Sequence, residues 1–107
     1  MQTIIRDKKV YSYSDLTDSL RVNIQTSKHH SYSGIVCSAV SVCTLDKGSN
    51  GVTWERHAIF KDYNKRILVK RDLKRITQKV IEEAHNEALK IFQEGEFMNE
   101  IKAQYSL

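Results

Sequence analysis

Proline is missing from this chain altogether. Without it no X-Pro isomerisation slows folding, and glycine, asparagine and aspartate must make the turns. Cysteine is nearly missing too: only Cys37 and Cys43 occur. In a strand those two positions would stand about 20 Å apart, far beyond disulfide reach, so they are read as reduced thiols buried in a core. No further ligand stands near them to make a metal site. Long apolar runs are absent as well. The weakly polar stretch Gly34 to Leu45 is broken by Ser, Cys and Thr and falls short of the roughly 20 apolar residues of a spanning helix. Met1 to Val10 carries charges with no apolar segment behind them, so no secretory signal is read there. These absences predict a cytoplasmic protein with no membrane partner.

Catalytic signatures are equally scarce. The four histidines are His29, His30, His57 and His85. Glu55 and His57, at i and i+2 on one strand face, have the types of an acid/base pair, but no carboxylate cluster and no helical His-x₃-His pair accompanies them. His85 is read as a partly exposed residue of a helix. The expectation is a noncatalytic protein with no cofactor and no metal.

What is present is enough for one modest core: 107 residues, 40% hydrophobic and 28% charged, fit a single domain over 1–107. The formal net charge is +4, yet between Lys61 and Lys79 eight basic residues face only Asp62 and Asp72, a local +6. All other residues therefore sum to −2. Concentrated charge of this kind attracts a polyanion or an acidic protein surface.

Periodicity predicts an α+β fold. Ser14 to Leu20, with Ser14 or Asp15 as cap and Leu16 and Leu20 at i, i+4, reads as a short helix, and 21–26 alternates as a strand. Thr26 to Ser33 is a polar loop. Gly34 to Leu45 reads as a central strand, apolar on both faces. Asp46 to Gly51 is the strongest turn, and 52–61 alternates, with Trp54 and Phe60 assigned to the core under a helix. A second turn at Asp62 to Lys65 leads to a strand at 66–70. The expected sheet is a four-stranded antiparallel one, a meander of 34–45, 52–61 and 66–70 joined by 21–26. From Asp72 the period becomes 3.6, with Leu73, Ile76, Val80, Ala84, Ala88 and Ile91 on one face. That predicts a helix over 72–94, capped by Asp72 and stopped by a left-handed Gly95, followed by a short helix or tail at 96–107.

On this reading Arg71, Lys74 and Arg75 occupy the first turns of the helix, where the macrodipole is already positive and a merely stable helix would carry acids. The predicted binding residues are Lys61, Tyr63, Lys65, Arg66, Lys70, Arg71, Lys74 and Arg75, with Tyr63 as the ring on which a base would stack. The predicted partner is nucleic acid or a nucleoprotein. The alternative is a small regulator or inhibitor, of the kind a virus or mobile element encodes, docking on an acidic protein surface. The acids Glu82, Glu83, Glu87, Glu94, Glu96 and Glu100 follow the basic window, so basic-on-acidic association into a homodimer is a further expectation, through the Gly34 to Leu45 strand or the terminal helix.

The order strand, strand, strand, helix with basic residues at the helix start, over Gly34 to Ala88, is similar to that of double-stranded RNA-binding domains, in which such residues meet phosphates. The likeness is one of topology, and no residue role is carried over from it.

Overall fold

Six antiparallel strands form one curled sheet with two helices after it, in a computed structural model that describes residues 1–56 and 63–107. The strands are β1 (Gln2–Arg6), β2 (Lys9–Asp15), β3 (Leu20–Lys28), β4 (Val36–Lys47), β5 (Thr53–Arg56) and β6 (Asn64–Lys70), followed by α1 (Gln78–Glu94) and α2 (Phe97–Gln104). The α+β class is as the sequence predicts. The sheet is larger than expected, because β1 and β2 add a hairpin at its edge.

The expected helix at Ser14 to Leu20 does not form. Alternation already runs through Val10, Ser12 and Ser14 on one side and Tyr11 and Tyr13 on the other, and β2 continues it to Asp15 before a tight turn. In that turn the Leu16 and Thr17 N–H groups both donate to Leu20 O, at 2.9 and 3.3 Å. Seven residues of backbone pairing with β3 outweigh one short i, i+4 leucine pair.

The expected meander of β4, β5 and β6 is also not the arrangement. β5 and β6 both run antiparallel to β4, and therefore parallel to each other in direction. β5 pairs with Thr44 to Lys47 and β6 with Val36 to Ser41. They lie in line along one edge of β4, bridged by a bond from Val42 N–H to Tyr63 O of 3.0 Å. The part of the expected strand beyond Arg56, and the turn at Asp62, fall outside the described residues. With β3 on its other edge, β4 is the central strand predicted, and it has no free edge along which a second copy could pair.

One face of the sheet is apolar. Val10, Val22, Ile24, Val36, Val40 and Val42 are all buried there, beneath Ile81, Ala84, Ala88 and Phe92 of α1 and Ile101 of α2. The buried positions of α1 follow the spacing of a single face, which is what drives a 17-residue amphipathic helix onto a sheet. Within this core, His85 is only 1% exposed, not the partly exposed residue expected. Its Nε2 lies 2.7 Å from Ser12 Oγ and its Nδ1 2.8 Å from Thr26 Oγ1, while Ser12 continues to Thr3 and Thr26 to Ser38. Burial holds the imidazole below its usual pKa, so it is neutral, with both nitrogens partnered.

α1 starts six residues later than predicted, at Gln78. Thr77 is the cap, its hydroxyl accepting from Val80 N–H at 3.3 Å. Asp72 instead adopts a left-handed φ of 60°, and Leu73 N–H donates to Gly34 O at 3.0 Å, so 71–76 is an irregular, non-helical connector pinned to the β3–β4 loop. Glycine is required at that pin: Gly34 has φ +72°, and a Cβ on it would meet Leu73 O at 3.0 Å. At the other end α1 stops at Gly95 as predicted, but in extended rather than left-handed backbone. There glycine serves close approach, since a Cβ would lie 3.0 Å from both Ile91 O and the Phe97 ring.

Candidate nucleic-acid interface

Three loops meet at one end of the sheet: the β1–β2 turn, the β3–β4 loop and the connector into α1. Lys8 N–H donates to Gln78 Oε1 at 2.7 Å and Lys8 Nζ reaches Ile76 O at 3.5 Å, tying the first turn to the helix start. The Gly34–Leu73 bond ties the second loop to the connector. Between them lies a cleft of about 340 Å³ lined by Lys28, Ser33, Gly34, Leu73, Lys74 and Ile76. Its two cations come from positions 46 apart in sequence. Arg71, Lys74 and Arg75 are exposed beside it, and the first turn of α1, which follows, contains no acid.

The basic window divides into two groups in the fold. Lys65 donates to Glu100 Oε2 at 2.5 Å, Lys70 Nζ forms an ion pair with Glu87 Oε2 at 2.7 Å, and Lys79 approaches Glu83 Oε1 at 3.9 Å. Three acids of the C-terminal ring thus answer three cations of the window inside the same chain, using up complementarity that the sequence suggested for association. Arg66, Arg71, Lys74 and Arg75 make no ion pair among the described residues. Arg66 is on β6, away from the connector; Lys61 lies outside the described residues. The expected clash of Arg71, Lys74 and Arg75 with the helix dipole does not arise, because all three precede the N-cap. They project from a connector ahead of free helical N–H groups.

Tyr63 is not a stacking residue. Its ring is buried in the core against α2, and its hydroxyl donates to Glu100 Oε2 at 2.8 Å, while Tyr105 Oη accepts from its N–H at 3.0 Å. Burial and the Glu100 carboxylate push the phenol well above its usual pKa; Lys65, then Tyr63, hold Glu100 below its own. The exposed ring at the basic end is Tyr32, 67% exposed in the β3–β4 loop, beside His29 (ring centroids 5.1 Å apart), which itself stacks on His30 at 4.9 Å. Sequence reasoning missed Tyr32, since nothing local marks which loop the fold brings to the basic end. Trp54, expected in the core, is 49% exposed on β5, on the edge of the sheet away from α1.

The sheet face opposite the helices forms a groove of about 480 Å³. Part of its polar lining is engaged internally, while Arg6, Lys9, Gln25 and Thr53 line it as well. Arg21 donates to Asp15 Oδ1 at 2.6 Å and Glu55 Oε1 at 3.2 Å and lies over the Tyr13 ring at 4.2 Å, the Tyr11 hydroxyl donates to Glu55, and Ser41 donates to Asn23. The Asp15 contact, then Glu55, strengthens the Arg21 guanidinium's hold on its proton, and burial with Glu55 beside it raises the Tyr11 phenol. Glu55 is thereby committed to Tyr11 and Arg21; His57, its expected partner, lies outside the described residues. Neither Cys37 nor Cys43 forms a disulfide, Cys43 being buried as expected and Cys37 only half-buried. Among the described residues no group of three His, Cys, Asp or Glu side chains is placed to hold a metal ion, and no helix is long and apolar enough to cross a membrane.

No protein-family model, curated protein or solved structure matches this chain. The topological likeness to double-stranded RNA-binding domains loses its basis as well, since β4, β5 and β6 do not form a three-strand meander and the basic residues precede the helix.

Proposed function

We propose that this is a noncatalytic cytoplasmic protein that binds nucleic acid, or a nucleoprotein, through the basic end of the sheet. The observation that carries the reading is the gathering, at one cleft, of cations with no ion pair among the described residues: Lys28 at the end of β3 and Lys74 of the connector line it, with exposed Arg71 and Arg75 on the same connector. Phosphates are the fitting occupants, because the cations project from backbone held by the Gly34–Leu73 and Lys8–Gln78 bonds and stand next to a helix N-terminus. Tyr32 supplies one exposed ring for stacking. The noncatalytic part rests on the sealed, fully partnered His85 and on the internal pairing of Glu55. Cysteines that form no disulfide accord with a reducing compartment.

The test is fluorescence anisotropy with labelled duplex and single-stranded oligonucleotides at about 50 and about 200 mM salt. The wild type should bind at low salt and lose affinity steeply at high salt. The triple variant Arg71→Glu, Lys74→Glu, Arg75→Glu, with an unchanged circular dichroism spectrum, should not bind. Absence of any binding at low salt would sink the proposal.

A second reading is favoured by the presence, at this same end of the sheet, of exposed Arg71 and Arg75 on the connector and exposed Tyr32 in the β3–β4 loop, residue types enriched at protein interfaces. On it the protein is a small regulator or inhibitor docking this same end on an acidic protein surface, and a partner captured through these residues would survive nuclease treatment. Either reading includes a homodimer.

A further inference from the structure

The two outer edges of the sheet are built differently. β6 carries Lys65, Arg66 and Lys70 and a register shift opposite Ser38 and Ala39, charges and irregularity of the kind that keep an edge from pairing. β1 has no such guards. All five of its residues are exposed, its only charge is at the last position, Arg6, and Ile4 and Ile5 are 40% and 57% exposed. Its inner side pairs with β2 from Gln2↔Tyr13 to Arg6↔Lys9; its outer side pairs with nothing among the described residues.

Ile4 and Ile5 point to opposite faces. Ile4 lies opposite Tyr11 and lines the open groove, whereas Ile5 lies opposite buried Val10 on the helix side. Nothing lying on a single face covers both. A partner that does so must run along the edge and take up its free N–H and C=O groups, which makes it a strand.

We propose that this strand is β1 of a second copy, antiparallel and related by a two-fold axis through the Ile4 pair. The segment Gln2–Arg6 is complementary to itself in that register. Ile4 meets Ile4 of the other copy, Thr3 meets Ile5, and Gln2 meets Arg6, so β-branched residues pair on both faces and no like charges are opposed. Registers centred on Thr3 or Ile5 leave fewer pairs. The axis stands perpendicular to the sheet, so both helical layers fall on one side and the two basic ends point away from each other. This deepens the homodimer included in the proposed function, by naming its interface, and does not depend on what the basic end binds.

Sedimentation equilibrium of the full chain tests it. The 12.4 kDa protomer should associate to twice its mass within a range reaching about 200 µM, since five residue pairs make a small interface. Ile4→Lys, which opposes two charges at the axis, should raise the dimer dissociation constant at least about tenfold without altering the circular dichroism spectrum. In a Cys37→Ser background, Ile4→Cys should cross-link on oxidation, because directly opposed residues stand about 4.5–5.5 Å apart. Gln2→Cys should not, the same register separating the two copies of that position by about 14 Å. A protein that stays monomeric over the whole range overturns the proposal, as does a dimer indifferent to Ile4→Lys and not trapped by Ile4→Cys. The arms keep it apart from the nucleic-acid reading: Ile4→Lys should retain oligonucleotide binding per protomer, and the triple glutamate variant should retain the dimer.

Discussion

Thr26 Oγ1 stands 2.8 Å from Nδ1 of His85, joining the third strand to the long helix through a polar contact inside the core. With Ser12 at 2.7 Å from the other ring nitrogen, the imidazole is held between two strands. This contact fixes how α1 lies across the sheet, and with it where the connector and its cations emerge.

Because burial lowers the His85 pKa below its usual 6.5, the unfolded chain takes up a proton there before the folded one does. Stability from this group is therefore complete above about pH 6.5 and declines as the pH falls below it, toward the folded-state value. Urea denaturation between about pH 7.5 and pH 5 should show the midpoint falling with acidification. The dependence should flatten in His85→Gln. His85→Ala should also cost about 2–4 kcal/mol at neutral pH, through a cavity and orphaned hydroxyls.

Gly34→Ala should destabilise the protein by about 1 kcal/mol or more, since alanine is strained at φ +72° and its Cβ would press on Leu73 O. The same substitution should weaken oligonucleotide binding, because it loosens the connector that presents Arg71, Lys74 and Arg75. Thermal melts and anisotropy on one sample check both.

Neutralising the paired and unpaired cations should have different effects. Lys65→Ala with Lys70→Ala should leave binding nearly unchanged, as both ammonium groups are already engaged by Glu100 and Glu87. Each unpaired cation removed from the set Lys28, Arg71, Lys74 and Arg75 should reduce the slope of log K against log[salt] by about 0.7–0.9. Equal slopes for the two sets would show that the cleft is not the contact.

Tyr63 and Tyr32 should separate cleanly. Tyr32→Ala should lower affinity for single strands, by about 1–3 kcal/mol if one base stacks there, with no change in melting temperature. Tyr63→Phe should do the reverse, lowering the melting temperature through loss of its bond to Glu100 and leaving affinity intact.

Local pattern was sufficient for much of this molecule. Alternation over 21–26, the weakly polar run over 34–45, the glycine turn near Gly48, and the apolar face ending at Gly95 each reflect interactions within a few residues, so β3, β4 and the body and end of α1 were legible directly. The net basic character of 61–79 was legible for the same reason, being a matter of composition. Tertiary structure decided the rest. Whether Ser14–Leu20 becomes helix or the end of a strand depends on β3 being available to pair. Whether 72–77 is helical depends on Gly34 offering its carbonyl to Leu73. Which lysines are free depends on where α1 and α2 set their glutamates, and no spacing rule relates Lys65 to Glu100 or Lys28 to Lys74. Side chains that lie far apart along the chain acquire their partners only when the sheet and helices pack, and that packing determined which charges of the window remain for a ligand.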